Sequence, residues 1–298
     1  KELPDWVVFL RPLGLRLNVD NLAILVIDIP TNQVVAYCGN VHFDRKQGGN
    51  QVDVIQAPRS TGSILKPFLY NAMLQEGSLL PKMLLPDVPV NINGFTPQNF
   101  SMQFEGAVPA SEALARSLNI PAVTMLQRYG VPKFHHLLQQ MGFKTINRAA
   151  SHYGLSLILG GAEATLWDVT NAYAQMGRSL SSNSPSPTVS QGKEAQILLE
   201  TENTEPINND TKQTSRNHKS NHNKQEKREQ SNFSPLSVEE DSEETTSAKA
   251  GAAWLTLSAL TEVNRPEEID WKSIPSMQTI AWKTGTSYGF RDAWAVGV

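Results

Sequence analysis

The sequence from Arg59 to Pro67 is RSTGSILKP, a tight polar turn followed by the beginning of an apolar helix pattern. The helix is predicted to run from Pro67 to Gln75 and to close at Gly77. Ser63 would then lie at the helix N-terminus, with Lys66 one turn further along the same face. A serine hydroxyl is a weak nucleophile until a neighbouring base takes its proton. A lysine amine can be that base when burial and a positive helix end favour its neutral form, so the pattern predicts a nucleophile with its base.

Two further patterns accompany this one. Ser-x-x-Lys alone is weak evidence, because a chain of this length contains it about once by chance, and residues 190–193 carry a second copy. Ser117-Leu118-Asn119 ends a predicted helical stretch, and Lys283-Thr284-Gly285-Thr286 lies on a predicted strand. The second of these patterns is rare, expected in about one chain in a hundred of this length. Together the three patterns predict one catalytic site.

The remaining elements follow from periodicity and turn residues. A β-hairpin is predicted from Leu22–Asp28 and Val34–Cys38, with a turn at Pro30–Asn32, and a short extended piece from Val52–Ile55. The predicted helices are Ser111–Leu118, Ala122–Arg128, Lys133–Met141, Thr165–Arg178 and Ala248–Val263. A strand over Gln278–Thr286 is predicted to pair with Ala293–Val298 after a turn at Tyr288–Phe290, and Asp292 and Trp294 are expected to serve that turn and its packing.

Composition divides the chain. Residues 181–247 are dominated by polar residues and cannot bury enough surface to offset their ordering entropy, so they are predicted to be a disordered insertion. The resulting division has a lead-in at 1–20, a first domain part at 21–180, the insertion at 181–247, and a second part at 248–298.

Charge and composition exclude several classes of function. A formal net charge of −3 gives no basic footprint for nucleic acid, and no apolar run is long enough to cross a bilayer. The single cysteine, Cys38, excludes an internal disulfide and is predicted to be buried and inert. His135 and His136 lack a carboxylate at metal-ligand spacing and are expected to be surface residues, so we predict neither metal nor cofactor.

Four stretches, residues 57–67, 113–122, 153–161 and 281–287, resemble the transpeptidase domain of a bifunctional (class A) penicillin-binding protein. Residues 264–267 and 289–297 are similar to the 1C type. The resemblance spans Asn21 to Val298 apart from the polar insertion. It implies an α+β fold in which an antiparallel sheet is flanked by helices, with the first hairpin beside the strands after Met277. It also implies a chain truncated at both ends, whose parent carries a membrane anchor and a glycosyltransferase domain upstream.

The resemblance also implies catalytic roles. Ser63 would be the acylated nucleophile, and Lys66 would be the base that deprotonates it. Ser117 would relay protons to the leaving or attacking amine. Lys283 would supply positive charge near the terminal carboxylate of the substrate and tune Ser117.

The implied binding roles belong to matching positions nearby. Asn119 would hold the amide backbone of the substrate, while Thr284 and Thr286 would bind its carboxylate. Gly285 would let an extended peptide lie along the strand edge. The backbone N–H groups of Ser63 and Thr286 would form the oxyanion hole.

The activity implied is that of a serine D,D-transpeptidase that cross-links peptidoglycan stem peptides ending in D-Ala-D-Ala, on the periplasmic side of the inner membrane of the bacterial envelope. β-Lactams would acylate the same serine. A β-lactamase would add a water-activating carboxylate, but no E-x-x-x-N motif lies in an ordered stretch between Ser117 and Lys283. The ordered carboxylates there, Glu163 and Asp168, are expected to be helix-start residues. A D,D-carboxypeptidase and a non-catalytic module that binds peptidoglycan or β-lactams remain alternatives.

Overall fold

The computed structural model describes residues 21–40, 52–180, 243–262 and 279–298, in which eight strands form four antiparallel pairs. The strands are β1 (Ile24–Asp28), β2 (Gln33–Cys38), β3 (Arg59–Ser60), β4 (Leu84–Asp87), β5 (Gly106–Pro109), β6 (Glu163–Ala164), β7 (Trp282–Thr286) and β8 (Ala293–Gly297). The α-helices are α1 (Lys66–Gln75), α2 (Ala110–Ala115), α3 (Asn119–Tyr129), α4 (Val131–Gln140), α5 (Ala150–Tyr153), α6 (Leu166–Arg178) and α7 (Glu243–Thr261). Two short 3₁₀ helices span Gly154–Leu159 and Tyr288–Phe290.

Helix α1 lies at the centre of the core and is buried on most sides. Lys66 and Phe68 are each only 1% exposed. The Phe68 ring packs edge-on against Phe143 and Tyr173, with ring centroids 5.8 and 4.8 Å apart. Because aromatic contacts of this kind add about 0.5–1.5 kcal/mol beyond the burial of their area, they hold α1 firmly. Lys66 is thereby held in the interior.

The start of α1 differs slightly from the prediction. The helix begins at Lys66, so Ser63 lies in the turn just before it and not on its first residue. Pro67 fits inside the first turn, since its missing N–H would have no intrahelical partner there. The end agrees with the prediction, because Gly77 adopts the left-handed conformation, with φ +67°.

Both predicted hairpins are confirmed. In the first, β1 pairs with β2, and the Thr31 N–H stabilises the turn by donating to the Asp28 carboxylate at 3.0 Å. In the second, β7 pairs with β8 around the 3₁₀ turn. Strand β1 packs on α6, where Ile27 contacts Ala174. The two hairpins are separate ladders that line a cavity of about 250 Å³ between β1 and β8.

Three predicted elements are corrected. Residues 53–56 form a turn instead of an extended piece, with the Gln56 N–H donating to the Asp53 carbonyl at 3.3 Å. Helix α3 begins at Asn119 and not at Ala122, because Pro121 occupies its first turn, where no backbone N–H is needed. The first predicted helix in this region accordingly ends early, at Ala115.

Other boundaries shift by a few residues. Helix α4 begins and ends slightly before the predicted Lys133–Met141, and α7 begins at Glu243 instead of Ala248. Helix α6 agrees with the prediction, and its N-cap Thr165 accepts a hydrogen bond from Asp168 N. The lead-in, most of the polar insertion, and residues 263–278 lie outside the described residues.

Candidate active site

Ser63 lies on a short turn that is anchored from both sides. Before it, the Thr61 N–H donates to the Ala162 carbonyl at 3.0 Å. After it, the buried Tyr173 hydroxyl donates to the Ile64 carbonyl at 2.8 Å. The Ser63 side chain is half-buried, and its hydroxyl forms no hydrogen bond with another described residue. The nucleophile candidate therefore sits on a rigid backbone with its hydroxyl available.

The turn approaches strand β7 so closely that only glycine fits at two positions. Gly62 has φ +51°, and a Cβ there would lie 2.7 Å from the Thr286 carbonyl oxygen. A Cβ on Gly285 would lie 2.8 Å from the Thr61 carbonyl oxygen and 3.2 Å from Ser63 N. These contacts place the backbone of Ser63 beside the backbone of Thr286.

The edge of β7 opposite β8 faces this turn. Ser287 N donates to Asp292 O, and Ala281 and Val298 exchange both of their backbone hydrogen bonds, so odd-numbered residues of β7 bond β8. The N–H and C=O groups of Thr284 and Thr286 consequently point away from β8, toward Ser63. An extended peptide could pair with this edge.

Lys66 is a strongly perturbed titratable group of the site. Its Nζ donates to the Ser117 carbonyl at 2.8 Å and to Asn119 Oδ1 at 2.6 Å, and lies 3.4 Å from Ser117 Oγ. Complete burial, together with the nearby charge of Lys283, holds the pKa of Lys66 well below its usual 10.5. A neutral amine has two N–H groups and one lone pair. Its two closest partners can only accept, so the lone pair remains for a hydroxyl proton.

Ser117 lies between two lysines and has a strained backbone. Its Oγ accepts a hydrogen bond from Lys283 Nζ at 2.8 Å and lies 3.4 Å from Lys66 Nζ. Its φ of +58° is rare for a residue other than glycine. The reason is a Schellman motif that ends α2, in which Ser117 N donates to Leu114 O and Leu118 N donates to Ala113 O. Serine occupies the position that usually holds glycine.

The structure thus brings Lys66, Ser117, Asn119 and Lys283 into direct contact. Lys283 is 2% exposed, and its Nζ also donates to the Thr284 carbonyl at 2.6 Å. Thr284 is half-buried and Thr286 is exposed on the same strand. Ser63 lies in the turn just before Lys66, and its hydroxyl forms no hydrogen bond with Lys66 Nζ.

Sequence reasoning missed two residues that hold the Ser63 turn. For Tyr173 the sequence predicts only a place within the Thr165–Arg178 helix. Trp294 was assigned to strand packing, yet its Nε1 donates to the Ser60 carbonyl at 2.7 Å, and neighbouring Asp292 lies 3.8 Å from the Arg59 guanidinium. Both connections link residues more than a hundred positions apart, so no local pattern could have indicated them.

The other residues considered in the sequence analysis do not contact the group formed by Lys66, Ser117, Asn119 and Lys283. The prediction that His135 is a surface residue is wrong, because its side chain is buried against Tyr153. Glu163 lies on β6 and not at a helix start, whereas Asp168 does lie in the first turn of α6. Cys38 is buried as predicted. Within the described ranges, no three His, Cys, Asp or Glu residues form a cluster that could hold a metal ion.

Comparison with known proteins gives consistent matches. Residues 22–293 match the family described as the penicillin binding protein transpeptidase domain. The chain is 33% identical over 278 residues to Penicillin-binding protein 1C of Escherichia coli (strain K12), covering 93% of this chain and 30% of that protein. It is 30% identical over 176 residues to Penicillin-binding protein 1A of Neisseria cinerea, covering 57% of this chain and 20% of that protein. The chain therefore spans less than a third of each relative.

Two solved structures are similar in fold. A peptidoglycan glycosyltransferase from Burkholderia ambifaria has a TM-score of 0.61 at 14% identity, covering 95% of this chain and 79% of that one. The penicillin-binding protein PonA1 from Mycobacterium tuberculosis has a TM-score of 0.57 at 18% identity, covering 94% and 66%. These likenesses concern the fold alone, and they confirm the predicted combination of helices with antiparallel strands.

Proposed function

Because this chain belongs to the family of penicillin-binding protein transpeptidase domains, we propose that it is a serine D,D-transpeptidase acting through an acyl-enzyme on Ser63. The observation that carries the proposal is the position of Ser117 Oγ between two lysine amines, 3.4 Å from Lys66 Nζ and 2.8 Å from Lys283 Nζ. In this proposal the neutral amine of Lys66 is the base, and the amine of Lys283 keeps its positive charge.

In the first half-reaction, Ser63 Oγ attacks the carbonyl of the D-Ala-D-Ala peptide bond while Lys66 Nζ takes the hydroxyl proton. The C–O bond forms and the C–N bond breaks. The proton then passes from Lys66 through Ser117 Oγ to the amine of the departing D-Ala, which completes the acyl-enzyme. The low pKa of Lys66 supports this role, because the amine must be neutral to accept the proton.

Binding of the donor peptide is assigned to β7. Its edge opposite β8 would pair with the extended peptide, and the N–H groups of Ser63 and Thr286 would stabilise the oxyanion. Thr284, Thr286 and the charge of Lys283 would bind the terminal carboxylate, while Asn119 would hold the substrate amide. Gly285 supports this arrangement by letting β7 approach the Ser63 turn, since a Cβ there would lie 2.8 Å from the Thr61 carbonyl oxygen.

In the second half-reaction, an amino group of a neighbouring stem peptide attacks the acyl-enzyme. Ser117 Oγ accepts its proton and returns one to Ser63 through Lys66. The new amide bond replaces the ester, and Ser63 regains its hydroxyl. Peptidoglycan stem peptides are therefore the proposed substrates, and β-lactams would acylate Ser63 as mimics of the D-Ala-D-Ala end.

The proposed setting is the bacterial cell envelope, on the periplasmic side of the inner membrane, as part of a class A protein of the 1C type with a glycosyltransferase domain and a membrane anchor upstream. Among the described helices, none is long and apolar enough to cross a bilayer. We further propose that residues 181–247 are an insertion between the two parts of the transpeptidase domain.

Mass spectrometry of the intact chain after incubation with benzylpenicillin tests the proposal, with Ser63→Ala as the control. We expect one penicillin per wild-type molecule, mapped to Ser63, and none on the variant. A folded wild-type chain without an adduct, or an adduct that survives in the variant, would overturn the assignment.

The same experiment separates the related activities. A transpeptidase should keep the adduct for long times, whereas a β-lactamase would release it rapidly as penicilloate. A D-Ala-D-Ala-like thioester offered with a D-amino acid acceptor then distinguishes the transfer product from the hydrolysis product. Exclusive hydrolysis would indicate a D,D-carboxypeptidase.

A further inference from the structure

The N-terminus of helix α3 is capped from a distant loop. Its N-cap residue, Leu118, has no side-chain group that could accept a hydrogen bond. Instead, Asn99 Oδ1 accepts from the backbone N–H of Asn119 at 2.8 Å and of Ile120 at 3.3 Å. Asn99 is only 2% exposed. It therefore fixes the backbone of Asn119, the residue that contacts the amine of Lys66.

A buried carboxylate determines which way the Asn99 amide points. Asn99 Nδ2 donates to Asp87 Oδ1 at 2.7 Å and to the Gln103 carbonyl at 3.0 Å. The other Asp87 oxygen accepts from Glu105 N at 3.0 Å, and Asp87 is 0% exposed. A flipped amide would face the carboxylate with its oxygen and the helix N–H groups with its own donors. Asp87 thus permits one orientation of Asn99.

The loop also holds the side chain of Asn119. Asn119 Nδ2 donates to the Gln98 carbonyl at 2.8 Å, which turns its Oδ1 toward Lys66 Nζ at 2.6 Å. Gln98 directly precedes Asn99, so one segment fixes both the backbone and the amide of Asn119. A continuous path of hydrogen bonds leads from Asp87 through Asn99 and Asn119 to Lys66.

We propose that Asp87 and Asn99 are positioning residues that keep Asn119 Oδ1 on Lys66 and so aim the lone pair of its amine at the Ser63 hydroxyl. The inference rests on the proposed function of Lys66 as the base. Neither residue touches the substrate, and both act through Asn119. If Asn119 Oδ1 moved away, one N–H of Lys66 would lose its acceptor and the amine could rotate.

The chain allows a reciprocal exchange as a test. Asn99→Asp alone sets a second carboxylate against Asp87, where the two like charges repel. In the double variant Asp87→Asn/Asn99→Asp, the amide introduced at position 87 can donate to the carboxylate introduced at position 99 and still accept from Glu105 N. The other oxygen of that new carboxylate can accept from the helix N–H groups, as aspartate does at an N-cap.

The measurement is the limiting acylation rate at saturating fluorescent penicillin, together with the fraction of molecules that become acylated. We expect the limiting rate of Asn99→Asp to fall by roughly tenfold or more, since small misplacements of a base are costly. The acylatable fraction of the folded protein should stay near that of the wild type. The double variant should recover part of the rate, because it restores the hydrogen bond between positions 87 and 99 but leaves the Gln103 carbonyl without its donor.

Val123→Ala is the matched control, because Val123 is fully buried on the same helix but lies outside the hydrogen-bond path. It should lower the melting temperature while leaving the limiting rate unchanged. An unchanged rate in Asn99→Asp, no recovery in a folded double variant, or an equal loss of rate in Val123→Ala would each overturn the positioning role. Failure of the wild type to be acylated would instead reject the proposed function.

Discussion

At the scale of single residues, Lys66 is the most informative group of the site. It is buried, and among the described residues the charge set beside it is that of another lysine, Lys283, so its protonated form is disfavoured twice. Its two closest hydrogen bonds go to oxygens that cannot donate. The residue is consequently suited to accept a proton and poorly suited to form an ion pair.

The first prediction concerns the pH dependence of acylation. If neutral Lys66 is the base, the acylation rate should rise with pH along a limb that lies well below pH 10.5, because the pKa of Lys66 is lowered. The positive charge of Lys283 is one of the two causes that lower the pKa of Lys66. Lys283→Ala should therefore raise that pKa and move the rising limb of the rate to higher pH. The second-order rate constant for penicillin, measured across neutral and alkaline pH, reports both effects.

Lys133→Ala is the control for that measurement, since Lys133 is exposed and paired with Glu76 at 2.6 Å. The rising limb of the acylation rate with pH should be the same in Lys133→Ala as in the wild type. A wild-type limb near pH 10.5, or no displacement in Lys283→Ala, would exclude Lys66 as the neutral base.

The second prediction separates strain from chemistry at Ser117. Both Ser117→Ala and Ser117→Gly remove the hydroxyl that bridges the two lysines, so both should lose acylation by about 10²-fold or more. Only glycine accepts φ +58° without strain, so Ser117→Gly should be more stable than Ser117→Ala by about 1 kcal/mol. Urea unfolding measures the difference. Equal stabilities would show that the left-handed backbone of Ser117 carries no strain.

At the scale of elements, the site depends on how closely strand β7 approaches the turn before α1. The hydrogen-bond alternation of β7 with β8 leaves the opposite edge of β7 directed at Ser63. Gly62 and Gly285 make the approach possible, because a Cβ on either would collide with backbone atoms of the facing segment. The position of Ser63 relative to β7 therefore depends on both glycines.

The third prediction tests this approach. Gly285→Ala should push β7 away from Ser63 and lower the acylation rate by about tenfold or more, because its Cβ would meet the Thr61 carbonyl at 2.8 Å. Gly297→Ala on the adjacent strand is the control, since among the described residues its Cβ would meet the Ile280 Cγ2 methyl, at 3.1 Å, and no backbone atom. Acylation should remain near the wild-type rate in that variant. A similar loss in both variants would indicate a general defect of the hairpin.

At the scale of the whole molecule, one continuous apolar core supports the site. Residues from α1, α2, α3, α4, α6 and α7 contribute to it, and Phe68 packs at the centre. Because Lys66 and Phe68 share α1, the packing of the core also holds the catalytic amine. The first hairpin lies against α6 at the edge of this core.

The fourth prediction follows from this packing. Phe68→Ala should cost about 3–5 kcal/mol of unfolding free energy, because the cavity left between Phe143 and Tyr173 cannot fully collapse. Phe100→Ala makes the same chemical change at a residue that is 82% exposed, and should change the stability by about 0.5 kcal/mol or less. Chemical denaturation of both variants gives the comparison. Comparable costs would mean that the core is not centred on α1.

Local features of the sequence were sufficient for much of this description. Alternation and turn residues predicted both hairpins, and the capping Thr165 predicted the start of α6. The order of the three motifs predicted which residues would form the site, because residue type and spacing determine the chemistry available. The errors were local as well. The second predicted helix starts at Ala122, after Pro121, although a first turn tolerates proline and the helix begins at Asn119.

Only the tertiary structure decided how these pieces meet. Lys66 contacts Ser117 across 51 positions of sequence, and Lys283 contacts it across 166. Ser117 also adopts a left-handed backbone conformation that no local sequence pattern predicts. The cap that Asn99 provides to α3, and the anchoring of Ser60 by Trp294, likewise join distant segments. Periodicity reports which face of an element is apolar. The direction of a buried hydrogen bond is set by packing between elements, and for that reason it appears only in the folded chain.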